Sequence, residues 1–246
     1  MNGRDYFTLS APKMEALLAL LLSSAGRSIT KDQLISELWG TRPPRRAAAA
    51  VHVYISQLRK FLMSAGDAEG RAIATTSAGY LLQRGSAELD VDDFQDAMRT
   101  GREHQRAGRY EQASADLDRA LELIRGPVRT GTAEGTVLAS FSTWVEEERL
   151  ACLELMVDAR TALGHHREVI SLLSSLITQF PLRESFYRQL MLVLYRSERQ
   201  AEALQVYRSA QRVLRAELGL EPCRSLRRMH QAILTSDRHL DLPLAS

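Results

Sequence analysis

Residues 30–82 place a short helix, a proline-containing turn, a long cationic helix and a two-stranded hairpin in direct succession. The turn, residues 39–46, contains a glycine and two adjacent prolines, which exclude one continuous helix through it. The second helix is predicted over residues 44–63, and the hairpin follows over residues 72–83. A helix held by a turn and followed by a hairpin is the order of elements in a winged helix, which presents one helix to the DNA major groove.

Helical geometry divides the side chains of residues 44–63 between two faces. One stripe is apolar and is predicted to be buried; it contains Val51, Ile55, Leu58 and Leu62. The opposite face and its flanks carry cationic, amide and small side chains: Arg45, Arg46, Ala49, His52, Val53, Ser56, Gln57, Arg59 and Lys60. Ala49 and Val53 suit contact with thymine methyl groups, and their neighbours can form hydrogen bonds to base edges. A lone surface arginine is usually only solvated, so the prediction of a DNA-binding face depends on the whole set.

The hairpin is predicted to pair residues 72–76 with residues 79–83. Thr75, Thr76 and Ser77 bring hydroxyl groups to its turn, where a wing meets the phosphate backbone or the minor groove. Ordinary turn chemistry explains the same three residues equally well. We expect Gly79 to supply a positive φ and Tyr80 to anchor the hairpin. His52 equally suits a neutral hydrogen-bonding role.

Two helices are predicted before the cationic one. Residues 12–25 form a strongly apolar helical pattern, for which Ser10 is the expected N-cap. Residues 30–33 have the form of a capping box, which opens a short helix expected to bury Leu34, Leu38 and Trp39.

The formal net charge of +2 conceals an asymmetry along the chain. Residues 1–86 contain 11 Lys and Arg against 6 Asp and Glu, a net charge of +5, whereas the remainder contains 21 against 24, a net charge of −3. A basic N-terminal part suits a polyanionic partner, and an acidic remainder suits contacts with proteins. Cys152 and Cys223 are far apart in sequence, which indicates unpaired thiols in a reducing cytoplasm. No stretch reaches the ~18 apolar residues of a membrane span.

Beyond residue 90 the pattern is helical, and three segments that begin at Gly108, Gly164 and Glu198 align with one another. The last two are 34 residues apart, the period of a tetratricopeptide helix pair. The first two are 56 residues apart, and the surplus of 22 coincides with the Gly- and Thr-rich residues 126–144. We therefore predict a three-repeat helical array with an insertion, which would act as a scaffold with a concave binding surface.

Catalytic motifs are missing from the sequence: it has no phosphate loop, no Gly-x-Ser-x-Gly and no His-Glu-x-x-His. The adjacent His165 and His166 fit a surface turn better than a metal site, and residues 146–148, three glutamates, fit a solvated helix face. We therefore expect no enzymatic activity, no cofactor and no metal.

The whole chain resembles the SARP family, the Streptomyces antibiotic regulatory proteins. Leu-Trp-Gly and Arg-Pro-Pro at residues 38–44 and Tyr-Ile-Ser-Gln-Leu-Arg-Lys at 54–60 resemble that family's recognition region, and Gly-Tyr-Leu-Leu at 79–82 resembles its wing. Later segments resemble its activation domain: residues 163–165, 181–184, 189–196, 202–204 and 217–222.

The resemblance implies a mainly α fold with two domains. Residues 1–86 would form an OmpR-type winged helix-turn-helix with a β-hairpin wing, and residues 91–240 a tetratricopeptide-like α-helical activation domain. The implied function is activation of a secondary-metabolite (antibiotic) gene cluster, by binding double-stranded DNA at direct repeats near the promoter −35 region as a side-by-side dimer. RNA polymerase holoenzyme is the implied protein partner, through σ factor and the C-terminal domain of the polymerase α chain. The expected location is the cytoplasm, in association with the nucleoid.

The chain departs from the family pattern in two places. Only residues 5–10 precede the first helix, so the N-terminal sheet is expected to be shortened or missing. Residues 123–126 lack the family's tryptophan and lead into a polar stretch, so the insertion is expected to be loose. Two alternatives stay open: a tetratricopeptide adaptor whose N-terminal domain binds protein, and a small-molecule effector bound inside the helical array.

Overall fold

Helices dominate the chain, which confirms the predicted mainly α fold. The computed structural model describes residues 11–64, 71–83, 90–124 and 135–241. Within these ranges lie ten α-helices, three strands and a final 3₁₀ turn. In chain order they are α1 (Pro12–Ser23), β1 (Ser28–Thr30), α2 (Lys31–Trp39), α3 (Ala47–Ser64), β2 (Ile73–Thr75), β3 (Gly79–Leu82), α4 (Asp90–Arg106), α5 (Tyr110–Leu123), α6 (Thr136–Ala162), α7 (His166–Gln179), α8 (Glu184–Arg196), α9 (Gln200–Leu218), α10 (Arg224–Leu234) and the 3₁₀ turn (Arg238–Asp241).

Contacts between residues divide the chain into two compact units. The N-terminal unit comprises residues 1–89 and 126–148, and the C-terminal unit comprises residues 90–125 and 149–246. The predicted domain boundaries at 86 and 91 differ from this division, because they assign residues 126–148 to the C-terminal helices. By its contacts, the first half of α6 packs within the N-terminal unit, and the predicted domain boundaries stay a prediction.

The core of the N-terminal unit is built from the apolar faces of α1, α2 and α3 and one face of the sheet. Its buried side chains include Leu17, Leu20, Leu21, Leu34, Leu38, Val51, Ile55, Leu58, Ile73, Tyr80 and Leu82. Helix α1 ends at Ser23, two residues before the predicted end, and its N-cap is Ala11. The predicted cap, Ser10, and residues 5–10 lie outside the described residues.

The predicted capping box opens α2. The amide of Gln33 donates to Thr30 Oγ1 (3.2 Å), and the amide of Thr30 donates to Gln33 Oε1 (3.0 Å). Gly40, at a φ of 56°, ends the helix. The expected burial of Leu34 and Leu38 is confirmed, whereas Trp39 is only half-buried.

The turn before α3 is longer than predicted, so the helix begins at Ala47 rather than at residue 44. The amide of Ala47 donates to the carbonyl oxygen of Pro44 at 3.0 Å, which closes a turn. The amide of Ala50, inside the helix, donates to the carbonyl oxygen of Arg46 at 3.0 Å. Two consecutive prolines lack amide hydrogens, and the residue before a proline is disfavoured in helical conformation. Arg45 and Arg46 therefore lie on the turn that leads into the helix.

The wing belongs to a three-stranded antiparallel sheet of order β1-β3-β2. Strand β1 was not predicted, and it pairs with β3 so that Thr30 lies opposite Gly79. The expected positive φ at Gly79 was wrong, since this residue is absent from the positive-φ glycines of the described chain. Glycine is needed there because a Cβ atom would overlap the carbonyl oxygen of Ile29 on the neighbouring strand.

The start of α6 is held by α2 within the N-terminal unit. Both carboxylate oxygens of Glu37 accept from the amide of Val137, at 3.2 and 3.1 Å, and one accepts from Leu138 at 3.4 Å. Leu138 is buried in the same core as α1–α3. A carboxylate at a helix N-terminus satisfies free amides and interacts favourably with the helix dipole. Residues 136–144, expected to be part of a loose insertion, are therefore helical and anchored.

The C-terminal unit repeats a helix–turn–helix arrangement. Pairs α4–α5 and α8–α9 pack closely, and α7 packs on α8. Three equivalent turns precede α5, α7 and α9, and they have positive φ at Gly108 (71°), Gly164 (79°) and Glu198 (61°). These are the starting residues of the three segments that align in the sequence, so the predicted repeat corresponds to a recurring turn.

A helix long and apolar enough to cross a bilayer is not found among the described residues. The same part of the chain contains no group of three or more His, Cys, Asp or Glu side chains arranged to hold a metal ion.

Candidate nucleic-acid interface

Helix α3 has the two faces predicted from its sequence. Val51, Ile55 and Leu58 are at most 1% exposed, and Leu62 is half-buried. On the outer side, the structure exposes eight of the predicted contact residues of this segment: Arg45, Arg46, Ala49, His52, Val53, Ser56, Gln57 and Lys60. Arg59 is the exception, because it is half-buried.

The outer face combines cations with apolar groups. The side chain of Val53 is 53% exposed, although a β-branched apolar residue contributes little to a helix surface that meets only water. Ala49 lies one turn earlier and is also exposed. Arginine, glutamine and serine can donate hydrogen bonds to base edges, and small apolar groups can contact thymine methyls. Such a face is chemically suited to reading a major groove.

Arg59 connects α3 to the wing. Its Nε and Nη2 donate to the carbonyl oxygen of Ile73 at 3.0 and 2.8 Å, and Nη2 also donates to Thr75 Oγ1 at 2.9 Å. A forked guanidinium can satisfy two acceptors in fixed geometry, which a lysine cannot do. Arg59 therefore sets the position of strand β2 relative to the helix while it places a positive charge between them.

A second link joins α3 to strand β3. The Tyr80 hydroxyl and His52 Nδ1 share a hydrogen bond of 2.6 Å, and the two rings meet edge to face. Burial raises the pKa of the Tyr80 phenol, against a smaller opposing effect of the nearby Arg59 charge. A protonated phenol can donate this bond. The burial of Tyr80 agrees with its predicted role as an anchor of the hairpin. His52 forms a hydrogen bond within the protein, which is one of the two roles considered for it from the sequence.

The turn of the wing uses two of the three predicted hydroxyls internally. Thr76 Oγ1 lies 2.7 Å from Ser28 Oγ and accepts from the amide of Gly79 at 3.1 Å. Thr75 Oγ1 accepts from Arg59. The structure thus brings Thr75, Thr76 and Ser77 together at the hairpin turn, where Thr75 and Ser77 are exposed and Thr76 is half-buried.

Contacts between α1, α2 and α3 fix the orientation of the outer face. Trp39 stacks on Tyr54 with ring centroids 6.3 Å apart. The ammonium of Lys13 lies 5.8 Å from the Trp39 ring and donates to the carbonyl oxygen of Leu38 at the end of α2. A cation is favourable at a helix C-terminus and over an aromatic face.

Several residues of this region lie outside the helix whose periodicity predicted the contact face. Ser28 supports the wing turn from strand β1, and Arg42 and Arg71 are exposed cations on the segments that lead into α3 and β2. Helical periodicity says nothing of residues on turns or on a strand from elsewhere in the chain. The positive charge of Arg42 and Arg71 contributes to the net charge of the N-terminal part, and Arg42 also belongs to the Arg-Pro-Pro motif.

Two protein families match the chain. The family "Transcriptional regulatory protein, C terminal" matches residues 8–82, and the family "Bacterial transcriptional activator domain" matches residues 89–234. The second match alone covers more than half of the sequence.

Similar proteins include regulators from Streptomyces and Mycobacterium. The regulatory protein AfsR of Streptomyces coelicolor is 40% identical over 95% of this chain, which spans 23% of AfsR. The transcriptional regulator RedD of the same organism is 34% identical over 96% of this chain, which spans 68% of RedD. The solved structure of Mycobacterium tuberculosis EmbR in complex with a low affinity phosphopeptide is 34% identical, with a TM-score of 0.85 over 92% of this chain and 60% of that chain. The chain thus spans about a quarter of AfsR and about 60% of EmbR.

An OmpR-type winged helix joined to a helical activator domain defines the chain as a bacterial transcriptional regulator. The exposed, cationic outer face of α3 fits this class. The chain belongs to the SARP family of transcriptional activators, as its motifs predicted.

Proposed function

We propose that the protein activates a secondary-metabolite gene cluster by binding direct repeats near the promoter −35 region and recruiting RNA polymerase. In this proposal α3 lies in the major groove, and the β2–β3 wing contacts the phosphate backbone. Two protomers bind side by side on successive repeats. Contacts to the polymerase involve σ factor and the C-terminal domain of the polymerase α chain.

The outer face of α3 carries the proposal. Its cations, amide and hydroxyl groups are exposed while the opposite stripe is buried, so these groups are available to a duplex. Two anchors, Arg59 to β2 and His52 to β3, hold the wing against the same helix. The basic N-terminal part supports an electrostatic contribution from phosphates.

A gel shift on promoter duplexes from neighbouring genes tests DNA binding. We expect the protein to shift a duplex with two direct repeats strongly and a duplex with one repeat more weakly. A scrambled duplex of equal length should shift little. Footprinting should place protection near the −35 region. Equal retention of all three duplexes would overturn sequence-specific recognition.

Variants test the placement of α3. Arg46→Ala and Lys60→Ala should each weaken binding and reduce the slope of log affinity against log salt by about 1, since fewer counterions are released. Arg119→Ala is the matched control, because Arg119 is an exposed arginine on α5 in the C-terminal unit. An unchanged affinity and salt slope in both α3 variants would contradict the placement.

The same assay separates this proposal from the adaptor alternative. An adaptor whose N-terminal unit binds protein would show no repeat-dependent retention of DNA. Run-off transcription with purified RNA polymerase holoenzyme then tests recruitment, since the protein should raise transcript yield from repeat-bearing promoters alone.

A further inference from the structure

Four large apolar side chains are exposed in the described part of the C-terminal unit, and three of them lie near the start of α8 or the end of α9. Leu182 precedes α8, and Leu218 and Leu220 lie at the end of α9; they are 44%, 51% and 57% exposed. None of the three belongs to the buried core of this unit or to the apolar residues packed against it. Neighbouring exposed leucines are a feature of protein-binding surfaces, whereas isolated ones are common on any protein.

Hydrogen bonds hold this region in one conformation. Gly219 ends α9 in the left-handed region, with a φ of 67°. Glu221 then accepts from Arg215 Nε at 2.7 Å and from Gln211 Nε2 at 3.0 Å, which folds the following turn back on α9. The amide of Cys223 donates to Glu184 Oε2 at 2.7 Å, so the start of α10 lies against the start of α8. Leu182 is two residues before Glu184, and Leu220 is three residues before Cys223. This hydrogen bond therefore links the two segments that carry the leucines.

Positive charge is concentrated in the stretch of sequence that contains Leu218 and Leu220. Residues 208–228 contain six arginines and two glutamates, although residues 87–246 as a whole carry more acidic than basic side chains. All six arginines are exposed. Arg215 is paired with Glu221, but Arg224 and Arg228 lie one turn apart on α10 and have no acidic partner in the described part of the chain. A spacing of four residues along a helix places these two guanidinium groups on one face.

We propose that Leu182, Leu218 and Leu220, with Arg212, Arg224 and Arg228, form a docking surface for an acidic amphipathic segment of a partner protein. This inference rests on the proposed function, in which the C-terminal unit meets a component of the transcription machinery. The leucines take apolar side chains of that segment, and the arginines pair with the carboxylates that flank them. Apolar anchors within a rim of charge are the usual composition of a protein interface.

The apolar component distinguishes this partner from a second stretch of DNA. Phosphate contacts gain affinity from arginines alone, and exposed leucines contribute nothing to them. A partner made only of charge would leave three leucines unburied, whereas an amphipathic segment covers them and matches the charge. The test therefore uses leucine and arginine variants separately.

The experiment compares full-length variants on the protein's own target promoter, with purified RNA polymerase holoenzyme as the probe. Leu218→Ser/Leu220→Ser and, independently, Arg224→Glu/Arg228→Glu are expected to lower activated run-off transcription about tenfold. Promoter affinity in a gel shift should stay within about twofold of the unaltered protein. Leu234→Ser, an exposed leucine at the other end of α10, and Arg119→Glu are the matched controls and should activate normally.

Each outcome has a distinct meaning. Loss of activation in both double variants, with DNA binding and circular dichroism unchanged, supports the docking surface. Normal activation by both variants overturns it. Weakened DNA binding with a smaller salt slope in the arginine variant also overturns it, because the surface then contacts phosphates. If the unaltered protein binds the promoter but does not raise transcription, the recruitment step of the proposed function fails, and the docking surface that rests on it is overturned with it.

Discussion

Glu198 has a backbone conformation that glycine adopts at the two equivalent turns of the C-terminal unit. Its φ is 61°, beside 71° at Gly108 and 79° at Gly164. A residue with a Cβ atom is destabilised by about 1–2 kcal/mol in the left-handed region, and glycine avoids this steric cost. Glycine also loses more conformational entropy on folding, so a substitution by glycine regains only part of that energy. The third turn of the array is therefore strained where the first two are not.

Replacing this residue should stabilise the C-terminal unit. We expect Glu198→Gly to raise the free energy of unfolding by about 0.5–1 kcal/mol, measured by urea denaturation. Ala115→Gly, at an exposed position in the interior of α5, is the control and should lower it by about 1 kcal/mol. A loss of stability in both variants would show that the Glu198 side chain contributes more than its backbone costs.

Asp158 is a half-buried carboxyl group on α6 that faces α8. Its Oδ1 accepts from Gln189 Nε2 at 2.7 Å, and the same Nε2 donates to the carbonyl of Glu154 at 2.9 Å. Burial raises the pKa of Asp158, and this outweighs the opposing hydrogen bond from Gln189 and the charge of Arg188. The folded unit therefore favours the neutral carboxyl more than the unfolded chain does.

The raised pKa gives a pH dependence of known sign. A group whose pKa is higher in the folded state contributes stability that is fully present below its unfolded pKa, near 3.8, and is lost as the pH rises through the folded value. Asp158→Asn keeps the acceptor and removes the titration. The stability of this variant relative to the unaltered protein should therefore increase as the pH rises from about 4, in urea unfolding at several pH values. A difference that stays constant or decreases would contradict this assignment.

At the scale of elements, α3 and the β2–β3 wing form one assembly. Arg59 bonds to Ile73 and Thr75 on β2, and His52 bonds to Tyr80 on β3. The wing therefore depends on side chains of α3 for its position, in addition to its own strand pairing. Arg59 and His52, which are predicted DNA contacts, therefore also hold the wing against α3.

Arg59→Lys separates the internal task from a phosphate contact. The lysine keeps the charge but cannot reproduce the fork to Ile73 and Thr75, so we expect weaker DNA binding with an unchanged salt slope. Lys60→Ala, at the exposed neighbouring position, should instead reduce the slope by about 1. Gel shifts over a salt series give both quantities. Affinity equal to that of the unaltered protein in Arg59→Lys would mean that the wing does not depend on this fork.

At the scale of the whole molecule, the DNA-binding unit is not contiguous in sequence. It includes the beginning of α6, whose amides bond to Glu37 and whose Leu138 is 1% exposed in the winged-helix core. Burying one leucine contributes about 1.5–3 kcal/mol, and hydrogen bonds to a charged acceptor add to this. A winged helix cut at the predicted domain boundary loses all of these contacts.

A fragment of residues 1–89 should accordingly be less stable than the same unit in the full chain, by about 2–4 kcal/mol. Amide hydrogen exchange along α3 measures this in both proteins. Glu37→Gln should destabilise the unit in the full chain but not in the fragment, where the carboxylate has no helix to cap. Equal α3 protection in the fragment and the full chain would contradict a stabilising role for α6.

Local patterns in the sequence predicted much of this protein. Apolar spacing identified the buried stripe of α3, Thr30 and Gln33 indicated a capping box, and the 34-residue spacing located a recurring turn. The buried stripe and the capping box each depend on residues of a single helix. The recurring turn depends on a local unit that is repeated along the chain. Periodicity and capping chemistry act over these short distances, so a sequence displays them directly.

Only the tertiary structure decided the rest. Strand β1 pairs with β3 although about 50 residues separate them, and Glu37 accepts a hydrogen bond from the amide of Val137, 100 residues later, at the start of α6. Gly79 is required by the backbone of another strand rather than by its own φ. Arg59 and His52 have partners on the wing that helical geometry does not reveal. Such contacts arise when distant segments are packed into a shared core, where steric exclusion and hydrogen-bond satisfaction select partners that local sequence patterns do not specify.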